Sequence, residues 1–483
     1  MSVLIHLDRE AGEPLYRQVR RAVEAAIASG SFRPGDRLPS SREMAHELGV
    51  SRNTINLAYQ ELISAGTVLA HNRRGLFVNP EMSGLEHGER LEVGAIDWAR
   101  RLPPPLDADL PSITKRPDWH RYPYPFLAGQ SDVQSFPARA WLRSLREALY
   151  HPHVYASLQD SLGADDPMLV EEVRTRLLPS RGIETSTENI LVTVGSQQGL
   201  DLLARLLVRQ GTKVGVEDPG YLDAQHIFAR AGAELVRLPV DEHGMRVPDS
   251  LQGAGLVYVT PSHHHPTNVT LAMERRRALL DRAVESGTLV VEDDYDSEFR
   301  YEGSPSPALK ALDAREVVVY LGTFSKFLSP GIRLGYLVGP AELVAALRAE
   351  RRYALRHPSG HQQRAMALLI ESGDYRRALR RYRRSLSEKW QLTTDAARQH
   401  LPWEQPSYPP GGVSLWVTAP EGFDGNALVE RAERRGVLVE PGDIYYGTLP
   451  RPRHHLRIGY AAVPARRIAD GIALLGQEAR ALL

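Results

Sequence analysis

Residues 317–335 read VVVYLGTFSKFLSPGIRLG. The unbroken apolar run Val317–Leu321 stops at Gly322 and gives way to Thr323, Phe324, Ser325 and Lys326. An apolar run without polar alternation is a strand buried on both faces, as in a parallel sheet. A lysine just beyond such a strand stands where open α/β sheets bind ligands, outside the carboxyl ends of the strands. Working outward, further runs of the same kind occur at Ile190–Val194, Val214–Val216, Leu235–Val240, Leu256–Val259 and Leu289–Val291. Most are separated by helix-length stretches such as Gln197–Val208 and Glu274–Ser286. The alternation predicts an α/β domain with a parallel sheet covered by helices on both faces.

The ends of these runs carry the chemistry. They hold Gly195-Ser196-Gln197, Glu217–Tyr221, Thr260–Asn268, Glu292–Tyr295 and Gly322–Lys326. Gly195, Ser196 and Gln197 precede a helix, whose free N–H groups and dipole suit a phosphate. Arg333 offers a second phosphate contact. Asp293 follows a strand, where a carboxylate could meet a pyridinium nitrogen. Any one of these alone reads as a cap or a solvated charge; together they are the equipment of a pyridoxal phosphate site, with Lys326 as the Schiff-base lysine.

The first eighty residues form a different unit. Leu15, Val19, Ala22, Val23, Ala26 and Ile27 make a helical stripe ended by Gly30. A Ser of Ser40-Ser41 can cap a short helix through Leu48, and Ser51 a second one burying Ile55, Ala58, Tyr59 and Leu62. Thr67–Asn79 reads as two strands around Asn72-Arg73-Arg74-Gly75. Helix, helix-turn-helix and hairpin make a winged helix-turn-helix. Its ten arginines against eight acids leave about +2, which is unremarkable, but their placement is not. Arg42 opens the first helix of the turn motif, Arg52, Asn53, Thr54 and Asn56 crowd the start of the second, and Arg73 and Arg74 occupy the wing. A recognition helix reads base edges with its first residues while flanking groups hold phosphates.

Between the units, roughly residues 81–120 are polar and then proline-rich, with Pro103, Pro104, Pro105 and Pro111, and read as an exposed spacer in which Ile96–Leu102 could form a short helix. The expected division is 1–80, a linker over 81–120, and 121–483, with a small subdomain from about 350 to the end; 340–400 is helical and rich in arginine. The 483 residues exceed a single core. The 59 basic and 59 acidic side chains cancel, so net charge neither suggests nor excludes nucleic acid. The lack of cysteine removes disulfides and thiolate chemistry and suits a reducing compartment. No signal-like or spanning segment is evident, so a cytoplasmic location and no membrane partner are expected. His263-His264-His265 does not read as a metal site, because neighbours on an extended chain face opposite ways.

On these residues, and on the runs EDDYDSEFRY and GTFSK, the chain resembles the MocR-type subfamily of GntR regulators, a winged helix fused to a fold-type I aminotransferase-like domain. The resemblance implies pyridoxal 5'-phosphate on Lys326, Asp293 at the pyridine nitrogen, Tyr295 at the ring phenolate and Tyr221 stacked on the ring. It places Gly195, Ser196, Gln197, Thr323 and Arg333 around the phosphate. It assigns Arg457, in Leu456–Tyr460, to an effector carboxylate or other anion, and Arg42, Arg52 and Thr54 to double-stranded operator DNA, with Asn53 and Asn56 on the same face. It further implies a head-to-tail homodimer, and a regulator rather than an enzyme, sensing an amino compound by external aldimine formation. The rival readings are an active aminotransferase with a regulatory DNA-binding domain and a regulator answering to the cofactor itself. The chain departs from the family in three places. His265 stands where aminotransferases have an asparagine before the proline, which bears on effector binding; Ser161–Pro167 reads SLGADDP where the family has a Tyr-Gly-Asp-Pro-Gly-like segment; and the wing carries two arginines in place of the usual small residues.

Overall fold

The computed structural model describes residues 7–8, 12–71, 74–81, 96–102, 110–111, 116–303, 306–404 and 408–483. The chain divides into two compact units, Met1–Pro104 and Pro105–Leu483. Most of the expected spacer and the wing residue Arg73 lie outside the described residues. In the spacer, Trp98–Arg101 forms one helical turn, and Trp98 is exposed.

In the first unit, helix α1 (Leu15–Ala28) buries Val19, Val23 and Ala26. Helix α2 (Ser41–Leu48) starts at a capping box: Ser40 Oγ accepts from the Glu43 N–H, and the Glu43 carboxylate accepts from the Ser40 N–H. It ends at Gly49, whose φ of 62° is left-handed and cheapest for glycine. Helix α3 (Arg52–Ser64) is capped by Ser51, whose Oγ accepts from the Thr54 N–H at 3.1 Å. It buries Ile55, Ala58, Tyr59 and Leu62 against α1 and α2. Strands β1 (Val68–His71) and β2 (Gly75–Val78) pair antiparallel, Val68 opposite Val78, and close the core.

The second unit is built on an eight-stranded sheet. After β3 (Tyr124–Pro125), its strands in chain order are β4 (Ile190–Thr193), β5 (Lys213–Asp218), β6 (Glu234–Asp241), β7 (Gly244–Met245), β8 (Ala254–Val259), β9 (Leu289–Asp293), β10 (Val318–Thr323) and β11 (Gly335–Val338). The spatial order is β4-β11-β10-β9-β8-β5-β6-β7. The expectation of a purely parallel sheet needs correction, because β11 runs antiparallel to both β10 and β4, and β7 antiparallel to β6. The reason is the connection: residues 324–334 hold no crossover helix, and a parallel return needs one. Side chains alternate across the sheet. Leu191, Val291, Val319 and Leu337 pack on the helices of one face, and Val192, Tyr320, Tyr336 and Val338 enter the core on the other.

A three-stranded antiparallel sheet, β12 (Ser414–Thr418) with β15 (His455–Gly459) and β14 (Glu440–Pro441), forms the C-terminal part, while β13 (Val437–Leu438) pairs with β3. Helices Asp374–His400 and Ala465–Arg480 pack against each other there. The small sheet positions the site: residues 443–448 are clipped to the end of β5, where Asp218 accepts from the Gly447 N–H at 2.8 Å and Gly220 donates to the Tyr445 carbonyl at 3.0 Å.

Candidate cofactor and effector site and the winged helix

The run EDDYD resolves into four separate tasks. Glu292 turns away from the strand ends and accepts from the Leu309 and Lys310 N–H groups. Asp294 is buried in a pair with Arg181 at 2.7 Å and also accepts from Tyr320. Asp296 receives His263 Nδ1 at 3.0 Å. Asp293 ends β9 inside the sheet edge. Its Oδ2 accepts from the Tyr258 hydroxyl at 2.8 Å, while its buried Oδ1 has no partner. Burial pushes the Asp293 carboxyl up to about 7, against the Tyr258 hydrogen bond and the Lys326 charge, which both hold it down.

Lys326 follows β10 in a half-buried turn, its Nζ 5.5 Å from the centre of the Tyr295 ring. The Tyr295 hydroxyl and Ser325 Oγ are buried without partners, as is Asp293 Oδ1. Buried polar atoms are almost always hydrogen-bonded. Three unmet ones near one lysine therefore fit a polar group held between them. The other side of this space is prepared for an anion. Gly195, at φ 78°, precedes the helix Ser196–Leu207, so the first N–H groups of that helix point outward. The Arg333 guanidinium lies over the same turn and donates to the Val194 carbonyl at 3.0 Å; a Cβ on Gly195 would sit 3.3 Å from it. Gln198 holds the turn by accepting from the Val194 N–H at 2.6 Å. Thr323 Oγ1 accepts from the Ser325 N–H at 3.2 Å.

Arg457, 5% exposed, arrives from β15. It donates to His265 Nε2 at 2.9 Å, to the Tyr445 hydroxyl at 3.1 Å and to Ser414 Oγ at 3.0 Å. Glu440 lies 3.9 Å away and accepts from Tyr445 at 2.8 Å. Burial disfavours the Arg457 charge, but the Tyr445 and Glu440 oxygens hold it firmly protonated. His265 is packed edge-on by Tyr221, Tyr295 and Tyr445, ring centres 5.2 to 5.9 Å apart. Tyr221 donates its hydroxyl to Asp223 at 3.1 Å. The three histidines diverge: His263 to Asp296, His264 Nδ1 to Thr267, His265 to Arg457. His264 lies 3.7 Å from Glu217, yet burial drives the histidine down to about 3 and the carboxyl up to about 8. Burial thus disfavours the charged form of both groups, which sets this contact apart from the Arg181–Asp294 ion pair.

The strand ends thus bring together Gly195, Ser196, Gln197, Tyr221, Asp293, Tyr295, Thr323, Lys326 and Arg333, with His265 and Arg457 at the border of the small sheet. Sequence reasoning missed Tyr258, Ser414, Glu440 and Tyr445. Tyr258 lies inside the apolar run 256–259 and reads as core, and the other three stand in no motif. In the first unit, Arg42, Arg52, Asn53, Asn56 and Arg74 are exposed and Thr54 is half-buried. Arg52 Nε donates to Ser41 Oγ at 3.3 Å, tying the start of α3 to α2. Among the described residues, no ion pair engages Arg42, Arg52 or Arg74.

Fold and site together define a winged-helix unit joined to a class I and II aminotransferase unit equipped for pyridoxal phosphate. Comparison agrees. Residues 15–78 match the gntR family of bacterial regulatory proteins, and residues 131–474 match aminotransferase class I and II. The HTH-type transcriptional regulator TauR of Rhodobacter capsulatus is 38% identical over 469 residues, 96% of either chain. The probable rhizopine catabolism regulatory protein MocR of Rhizobium meliloti is 32% identical over 481 residues, 97% of this chain and 94% of that one. Among solved structures, LysN, the α-aminoadipate aminotransferase of Thermus thermophilus complexed with N-(5'-phosphopyridoxyl)-L-leucine, superposes with a TM-score of 0.70 at 28% identity, covering 80% of this chain and 99% of that one. The chain belongs to the MocR-type GntR transcriptional regulators, and its cofactor is pyridoxal phosphate.

Proposed function

We propose that this regulator binds operator DNA through α3 and the wing and senses an amino compound at Lys326. The observation that carries the reading is the ring of unmet buried atoms, Asp293 Oδ1, Tyr295 hydroxyl and Ser325 Oγ, around the lysine. When bound, the cofactor supplies an aldehyde that condenses with amines and a ring that draws electrons from them. The chain does the rest. Asp293, with Oδ1 unmet, would serve the ring nitrogen and favour its protonated form, and the Tyr295 hydroxyl would serve the ring oxygen. Gly195, Ser196, Gln197, Thr323 and Arg333 would hold the phosphate, and Tyr221 would pack on the ring. Lys326 would be the residue that holds the cofactor, and an amino effector would compete with it for that place. Arg457, kept charged and aimed by Ser414, Tyr445 and His265, receives the effector's carboxylate or other anion; a planar guanidinium fork suits either. The effector can bias the protein only by its differential affinity for two arrangements. Turnover is not required.

The visible spectrum of the native chain and of Lys326→Ala, followed by borohydride reduction and peptide mapping, tests this. A yellow native protein with cofactor trapped on Lys326 supports it. A chain that stays colourless with added cofactor overturns it.

Two rival readings have observations of their own. The complete set Lys326, Asp293 and Tyr295 permits transamination, and sustained product formation from an amino donor and a keto acid would establish it. A relative 34% identical over 380 residues, covering 78% of either chain, is the pyridoxine biosynthesis transcriptional regulator PdxR of Corynebacterium glutamicum. Operator binding that responds to pyridoxal phosphate without amine would favour the cofactor as the signal.

A further inference from the structure

The helix Asp374–His400 begins DYRRALRRYRRSLSEKW, with Arg376, Arg377, Arg380, Arg381, Arg383 and Arg384 within nine positions. At 100° per residue these six fall on one side, and Tyr375, Ala378, Tyr382 and Leu386 are buried on the other. All six are exposed except the half-buried Arg383. Only Arg377 is ion-paired among the described residues, to Asp374. Arginines three and four apart repel one another along this face, a standing cost to the helix that a polyanion would remove. The helix is also held firmly. Tyr375 packs on Phe327 at 5.0 Å and on Phe324 at 6.1 Å, and Tyr382 on Phe299 at 5.5 Å. The face is therefore a rigid row of guanidinium groups rather than a loose basic tail.

We infer that this face is a second DNA-contacting surface, which grips the phosphate backbone outside the sequence read by α3. Arg376 to Arg384 spans about 12 Å of helix axis. Over that length a duplex presents about seven phosphates. The face offers no apolar anchor for a protein partner, and DNA, which the winged helix of this family already implies as a partner, is a polyanion complementary to it. The grip is independent of base sequence and adds to affinity through released counterions. It rests on the DNA-binding reading above.

The test uses the full chain and duplexes it selects from a random pool. One selected site is trimmed to about 20 base pairs, two turns of duplex, and compared with the same site in about 60 base pairs of random flank. The wild type should bind the long duplex at least about tenfold tighter near 0.1 M salt, with a steeper fall of log affinity against log salt. The variant Arg376→Gln, Arg380→Gln, Arg381→Gln, Arg384→Gln should keep its affinity for the short duplex and lose the length advantage. Its slope on the long duplex should drop by about 0.9 for every phosphate no longer neutralised. A length advantage that survives in the variant, or that is missing in the wild type, overturns the inference. So does a change of oligomeric state in the variant by sedimentation, which would make the face a subunit interface. If the random pool yields no binding site at all, the failure lies with the DNA-binding reading.

Discussion

Asp293 shows how burial turns an ordinary carboxylate into a site residue. In the cofactor-free protein its pKa near 7 stands above the usual value of 3.8, so the folded state holds a proton that the unfolded chain has lost. Its contribution to stability is then greatest below pH 4 and declines as pH rises toward 7. Asp293→Asn removes this charge penalty. The cofactor-free variant should melt higher than the cofactor-free wild type at pH 8 and at nearly the same temperature at pH 4, by calorimetry. The gain has an upper bound of about 4 kcal/mol, since each pKa unit is about 1.4 kcal/mol. The same variant should bind pyridoxal phosphate at least about tenfold more weakly, as one charge-assisted hydrogen bond to the ring nitrogen disappears. At Arg457 the expected effect is different. Arg457→Lys keeps the charge but not the fork, so it should leave the cofactor spectrum intact while raising the amine concentration that shifts it. The partners of Arg457 also show why part of the site was not legible in the sequence. Glu440, Tyr445 and Ser414 meet the guanidinium only because β12, β14 and β15 lie side by side, and nothing in their local sequence announces it.

At the scale of elements, two helix starts lie where the proposed cofactor and DNA contacts fall. Gly195 sits at φ 78° under the Arg333 guanidinium. Gly195→Ala should strain that turn by about 1–3 kcal/mol and displace Arg333. Weaker cofactor binding with an unchanged far-ultraviolet spectrum would be the sign. Ser51 caps α3, and Ser51→Ala should cost about 1 kcal/mol in the first unit. Because α3 begins with Arg52, Asn53 and Thr54, fraying there should weaken operator binding beyond what stability alone predicts, as read by anisotropy at a temperature where the variant stays folded. The wing belongs to the same scale. Arg73→Ala with Arg74→Ala should reduce the salt slope of DNA binding by up to about two, one unit for each phosphate that an arginine would have neutralised.

For the whole molecule, the segment 138–158 leaves Leu142, Tyr150, Tyr155 and Leu158 more than half exposed, large apolar side chains that a second copy would cover. This supports the proposed homodimer. The chain should sediment as a dimer, and Leu142→Asp with Tyr155→Asp should yield monomer with its far-ultraviolet spectrum retained. Much of this organisation is readable from the residues alone. The winged helix follows from apolar periodicity and caps, and an α/β domain with a cofactor lysine from apolar strands whose ends hold glycines, acids and Lys326, because both signals are local and repeat along the chain; the aminotransferase family came from the resemblance of its motifs.

What the sequence by itself determined is therefore the order of units, six of the eight strands of the large sheet and the residues that could meet a cofactor. Only the tertiary structure decided the direction of β11, the separate fates of the acids in EDDYD, and the presence of Tyr258 behind Asp293. It also decided that His265 turns its Nε2 to Arg457. The physical reason is range. Periodicity and capping act over one or two turns of chain, whereas hydrogen-bond partners and burial depend on residues brought together from far along the chain. The pKa of a buried carboxyl is set there and nowhere in the local sequence.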